Sequence, residues 1–178
     1  MEIIPDIRMD ELQKKFLGAR RTLFRHYHIG GCSSCGFSPE ETLAEVCLRN
    51  EGLDVNEAIR ILLEGLEEEK ALLISAVQLQ ELRQGNQVTC LVDVRSKDEH
   101  EAVNIFGSVH FDQNLMQEWM AGRDKTGLFV FYDHMGKTVL DAASYFVGHG
   151  FQQVKCLEGG IDAWAAQVDP TMPRYVLE

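Results

Sequence analysis

The rhythm of apolar and polar positions changes near residue 70. Before it, apolar residues recur at helical spacing. Met9, Leu12, Phe16, Leu17, Leu23 and Phe24 stand among charges over 9–26, which predicts one amphipathic helix or two short ones. Glycines then interrupt the pattern at 30, 31 and 36, as a loop would. Ser38, Pro39 and Glu41 have the spacing of an N-cap, a first helical position and a capping box, so a helix is predicted to start there. Its apolar positions are Leu43, Val46 and Cys47. A third helix is predicted from Asp54, its cap, to about Lys70, burying Val55, Ala58, Ile59, Leu62, Leu63 and Leu66. The charged run at 67–70 reads as a solvated linker.

Beyond the linker, short apolar runs alternate with helical patterns. Strands are predicted over 72–74, 88–94, 109–111, 128–132 and 153–157, and helices over 76–84, 114–121, 138–148 and 161–168. Such alternation implies a small parallel sheet flanked by helices, an α/β domain over 71–178 preceded by a small all-helical domain over 1–70. Right-handed crossovers would bring the loops at the C-terminal strand ends to one edge, including the loop at 133–137.

Composition narrows the function classes. The net charge of −11 is spread over both parts, −5 in residues 1–73 and −6 in the rest, so neither nucleic acid nor an anionic membrane is expected as a partner. No run of eighteen apolar residues and no basic, apolar leader occurs, and a cytoplasmic location is expected. Five cysteines, an odd number, argue for thiol or metal chemistry over a disulfide framework.

The run L-F-V-F-Y-D-H-M-G-K-T-V-L-D-A-A-S-Y-F at 128–146 reads as strand, tight loop and helix. A glycine-containing turn entering a helix aims several backbone N–H groups at one point, and the helix dipole adds positive potential there. With L-V-D-V-R at 91–95, I-F-G-S-V-H-F at 105–111, L-E-G-G-I-D-A-W at 157–164 and D-P-T-M-P-R-Y at 169–175, this order resembles the rhodanese-like domain over about 74–176. In that family the loop begins with a catalytic cysteine, which falls on Asp133. The resemblance therefore implies the fold without rhodanese sulfurtransferase activity, and a degenerate loop of Asp133, His134, Met135, Gly136, Lys137 and Thr138. Three roles compete for Asp133: a cap on the helix at Thr138, part of a binding pocket, or a catalytic carboxylate. The resemblance also implies that Asp93 and Arg95 form a structural ion pair. Gly159 and Gly160 read as a turn needing positive φ or close backbone approach, and Trp164, Cys90 and Cys156 as buried.

Cys32-Ser33-Ser34-Cys35 follows Gly30 and Gly31 and precedes Gly36, and Cys47 lies further on. A C-x-x-C brings two sulfurs close enough for a disulfide or for a metal. The surrounding text H-Y-H-I-G-G-C-S-S-C-G-F-S-P-E-E-T-L-A-E-V-C, followed by G-L-D-V-N-E-A-I-R-I-L-L, resembles the hybrid-cluster-protein-associated redox disulfide family over about 9–66. That resemblance implies a redox role. Cys32 and Cys35 are thus a candidate redox or sulfur-relay pair, with a sulfur carrier or thiol-redox protein as the expected partner. The alternatives are a zinc or iron–sulfur site of Cys32, Cys35, Cys47 and His28 or His26, and reduced structural thiols with Cys47 on a buried helix face.

Overall fold

The computed structural model describes residues 2–30 and 36–175. Its backbone forms two compact units, Met1–Ala71 and Leu72–Glu178. The first contains α1 (Met9–Lys15), α2 (Ala19–Tyr27), α3 (Leu43–Arg49) and α4 (Val55–Leu72). Met9, Leu12, Phe16, Leu23, Leu43, Val46 and Leu62 share its apolar core.

Residues 9–26 thus form two short helices, the second of the two predicted arrangements, and Leu17 and Phe24 are left about half exposed. α3 starts later than the Ser38 pattern predicts. Thr42 is its N-cap, accepting from Glu45 N while Glu45 accepts from Thr42 N at 2.8 Å. Residues 38–41 form a turn. The physical reason is lateral pairing with 5–10: Met9 N donates to Glu41 O, Asp10 N to Pro39 O and Leu43 N to Ile7 O, all at 2.9–3.0 Å. Those carbonyls and that amide would be consumed inside a helix begun at Ser38. Residues 67–70 lie within α4 instead of forming a coil, because no glycine or proline interrupts them. Glu69 also meets Arg21 at 2.9 Å. α4 buries Ala58, Ile61, Leu62 and Leu66, whereas Leu63 is 38% exposed.

The second unit contains β1 (Leu73–Ile74), α5 (Ala76–Gln84), β2 (Val88–Asp93), α6 (Lys97–Ala102), β3 (Val109–His110), α7 (Gln113–Gly122), β4 (Leu128–Tyr132), α8 (Val139–Gly148), β5 (Gln153–Leu157) and α9 (Gly160–Gln167). The five strands form one parallel sheet in the order β1-β5-β4-β2-β3. Alternating side chains feed opposite cores. Val92, Phe129 and Phe131 pack with Trp119, Phe146 and Phe151; Leu91, Val130 and Tyr132 pack with Leu79, Ile161 and Trp164. Edge-on aromatic contacts, such as Trp119 to Phe129 at 5.2 Å, add specificity to the first. α6 is missing from the sequence prediction, although Ser96 and Glu99 form a full capping box. Among the described residues no helix is long and apolar enough to cross a membrane.

Candidate functional site

The loop from β4 to α8 lies at the C-terminal edge of the sheet. Asp133 begins it, 5% exposed, directly after the fully buried Tyr132. Gly136 N donates to Asp133 Oδ1. Thr138 N (2.6 Å), Thr138 Oγ1 (2.7 Å) and Val139 N (3.0 Å) donate to Oδ2. Thr138 offers α8 no side-chain cap of its own, so the Asp133 carboxylate satisfies the first amides of α8 from outside the helix. Gly136 (φ 75°) permits the close approach: a Cβ there would lie 2.7 Å from Gly159 N. From the other side, α9 holds the loop as Ile161 N donates to Asp133 O (2.9 Å) and Asp162 N to His134 O (3.2 Å).

Cutting away this carboxylate should cost about 0.5–2 kcal/mol, the range for a good N-cap. Asp133→Ala should therefore unfold at lower urea concentration than wild type, followed by tryptophan fluorescence. A variant more stable than wild type would refute the capping role.

The rest of the loop borders a cavity of about 600 Å³ with Arg95, Glu99, Asp162, Arg174 and Tyr175. His134 is 8% exposed, lies 4.4 Å edge-on from the Tyr175 ring, and has no hydrogen-bond partner at Nδ1 among the described residues. Met135, Lys137 and Thr138 are exposed on its rim. Beneath it, Asp93 is fully buried. Its Oδ1 accepts from Arg95 N (3.1 Å) and Nε (2.9 Å), and its Oδ2 from Arg95 Nη2 (2.5 Å) and Tyr132 OH (2.9 Å). His100 Nδ1 lies 2.8 Å from Oδ2. Burial alone would raise the Asp93 pKa, but the hydrogen bonds of Arg95 and His100 hold it below the usual carboxylate value. Burial likewise opposes the Arg95 charge, which Asp93 more than restores. Burial pushes the Tyr132 phenol up, and the Asp93 charge adds to it. Arg95 Nη1 also reaches Tyr175 OH (2.6 Å), which donates to Glu99 (3.0 Å), while Arg174 grips Asp162 with two hydrogen bonds of 2.7 and 2.8 Å.

Glu99, His100, Asp162, Arg174 and Tyr175 were not singled out from sequence. The S-K-D-E capping pattern was the readable signal for Glu99; the others are brought in by tertiary folding alone.

Cys32 and Cys35 lie outside the described residues. Cys47 is buried in the first unit's core, where burial pushes its thiol up and so opposes the thiolate that a metal needs. His28 is exposed at the left-handed C-cap of α2 (φ 56°), and His26 is exposed too. Among the described residues no three His, Cys, Asp or Glu side chains are grouped to hold a metal. Cys156 is buried, as its strand pattern predicts. Cys90 is only half-buried, contrary to expectation, because β3 is too short to cover it.

Residues 75–167 match the rhodanese-like domain family. A thiosulfate sulfurtransferase GlpE of Ectopseudomonas mendocina is 32% identical over 93 residues, 52% of this chain and 84% of that one. GlpE of Pseudomonas savastanoi pv. phaseolicola is 35% identical over 89 residues, 50% and 82% of the two chains. The Alr3790 protein of Anabaena sp. superposes with a TM-score of 0.50 at 21% identity, over 58% of this chain and 94% of that structure, a likeness of fold. By its parallel sheet, by the family match and by these relatives, the chain belongs to the rhodanese-like domain family.

Proposed function

We propose that this protein performs thiol-redox or sulfur-relay work through Cys32 and Cys35, with its rhodanese-like unit acting as a docking or regulatory module that carries no sulfur itself. The observation that carries this reading is the Asp133 carboxylate, both of whose oxygens already accept the donors of the loop. In the family resemblance this position belongs to the cysteine that takes up sulfane sulfur. A carboxylate forms no persulfide. The cradle that would stabilise an anionic sulfur is already neutralised by the side chain it holds. Of the other cysteines of the second unit, Cys156 is fully buried on β5, its Sγ directed at Val139 O, and Cys90 lies on β2, where burial pushes its thiol up.

Cys32 and Cys35 remain as the pair spaced for exchange. Oxidation of the two thiols to a disulfide releases two electrons and two protons, which a disulfide on a sulfur carrier or thiol-redox protein would take up as it is reduced to two thiols. Wild type should show no thiosulfate:cyanide sulfurtransferase turnover above background. Mild oxidation should remove two hydrogens from the peptide holding Cys32 and Cys35, as seen by mass spectrometry. Asp133→Cys should become persulfidated at residue 133 on exposure to thiosulfate. Robust wild-type turnover that survives Cys32→Ser and Cys35→Ser would overturn the proposal. Stoichiometric zinc or iron that survives dialysis and is lost in Cys32→Ser would replace the redox reading with ligation.

A further inference from the structure

A second groove, of about 430 Å³, is lined by Val88, Thr89, Cys90 and Leu91, four consecutive residues of β2. The ladder to β4 is irregular between Val88 and Cys90, where Thr89 Oγ1 accepts from Leu128 N, but Cys90 and Leu91 feed opposite cores, so a groove that both line follows the backbone edge of the sheet. That edge is open. β3 has two residues and pairs with Val92 and Asp93 alone, while Val88, Cys90 and Leu91 pair on their other side with β4. Among the described residues no strand covers 88–91 on the outer side.

The walls are partly apolar and carry two cations. Leu115 and Val109 line the groove, and Phe106, next to its rim residue Gly107, is 88% exposed. Trp119 is fully buried, and its Nε1–H has no acceptor among the described residues. Arg83 and Arg123 also line it, and neither forms an ion pair within 4.0 Å among the described residues. Both are held in place by aromatic rings, Arg83 over Trp164 at 5.3 Å and Arg123 over Trp119 at 5.1 Å. Asp124 feels the Arg123 charge, but its Oδ1 is engaged by Thr126 N and Oγ1. Arg83 Nη2 also donates to Phe106 O, but neither guanidinium meets a carboxylate among the described residues, in a chain of net charge −11.

We propose that this edge receives an extended acidic segment of a partner protein, added beside β2 as a further strand, with its carboxylates at Arg83 and Arg123. At about 3.3 Å per residue, the open stretch matches a segment of roughly four or five residues. Charge selects this occupant over edge-to-edge pairing with β2 of a second copy, which would place like guanidiniums together. The inference rests on the docking role proposed above. Its failure is distinguishable from failure of the thiol chemistry, because Asp133 is not among the residues that line the groove and peptide binding involves no thiol step.

The test titrates capped pentapeptides into the isotope-labelled full chain and follows its backbone amide resonances. Glu-Val-Thr-Val-Glu should shift the amides of 88–91. Lys-Val-Thr-Val-Lys, and a Glu peptide N-methylated at its central residue, should bind about tenfold more weakly or not at all. Arg123→Gln should weaken the Glu peptide while its tryptophan-monitored unfolding remains cooperative, and added salt should weaken it in wild type. Silence of the Glu peptide at millimolar concentration, equal binding of the Lys peptide, or shifts confined to 133–138 would overturn the proposal. Shifts of 88–91 that appear with protein concentration alone would overturn it in favour of self-association.

Discussion

Arg95→Ala is expected to destabilise the rhodanese-like unit by about 3–5 kcal/mol, the usual cost of removing one partner from a buried ion pair. Asp93 is fully buried and the Arg95 side chain supplies two of its hydrogen bonds, so the variant leaves the carboxylate with the backbone N–H of residue 95, His100 and Tyr132 and no cationic guanidinium. Arg95 also ties Tyr175 and the carbonyl of Val103, so the 95–103 turn and the segment at 175 lose their common anchor. Both tryptophans, Trp119 and Trp164, belong to the second unit, and urea denaturation followed by their fluorescence reports that unit by itself. Arg95→Lys should recover only part of the loss, because an ammonium cannot span both carboxylate oxygens. The pH dependence has a definite sign. The folded pKa of Asp93 lies below its unfolded value, so the pair's contribution is complete above the unfolded pKa of about 3.9 and is lost as the pH falls toward the folded value. Wild type should therefore lose stability on acidification below about pH 4 more steeply than Asp93→Asn. A loss under about 1 kcal/mol in Arg95→Ala would show that the pair adds little.

Gly160→Ala is expected to cost about 2–5 kcal/mol, combining left-handed backbone strain with overpacking. Gly160 has φ 59°, and a Cβ there would lie 2.4 Å from Asp133 O and 2.6 Å from His134 C and O. These are backbone atoms of the loop that α9 holds through Ile161 N, so they cannot yield without moving Asp133. Gly122 is the control. It closes α7 with ordinary φ and has nothing within 4 Å of an added Cβ, so Gly122→Ala should be neutral or stabilise by about 0.4–1 kcal/mol. The same fluorescence measurement decides. If the two alanine variants unfold together, the close approach of α9 to the loop is not what fixes residue 160.

The second unit was the more legible part, because strand runs and helical stripes there are separated by strong punctuation. α5 was readable to the residue, with Ser75 and Gln78 forming its capping box. In the first unit two capping patterns, at Ser38 and at Thr42, compete within a few residues, and local sequence does not choose between them. Lateral hydrogen bonds from 7–10 do.

The candidate site divides in the same way. The amino-acid sequence by itself determined the strand–loop–helix around Asp133, since a carboxylate ahead of a glycine turn and a helix start is a local arrangement, and it marked Asp93 and Arg95 two residues apart. It also determined the spacing of Cys32 and Cys35. Only the tertiary structure decided that Tyr175, eighty residues beyond Arg95, shares that guanidinium with Asp93. It alone placed His134 against Tyr175 and, among the described residues, left the first half of β2 without an outer strand beside Arg83 and Arg123. The reason is physical: caps, turns and strand periods are set by neighbours along the chain, whereas burial, ion pairing and an open sheet edge depend on which distant segments the packed sheet brings together or leaves apart.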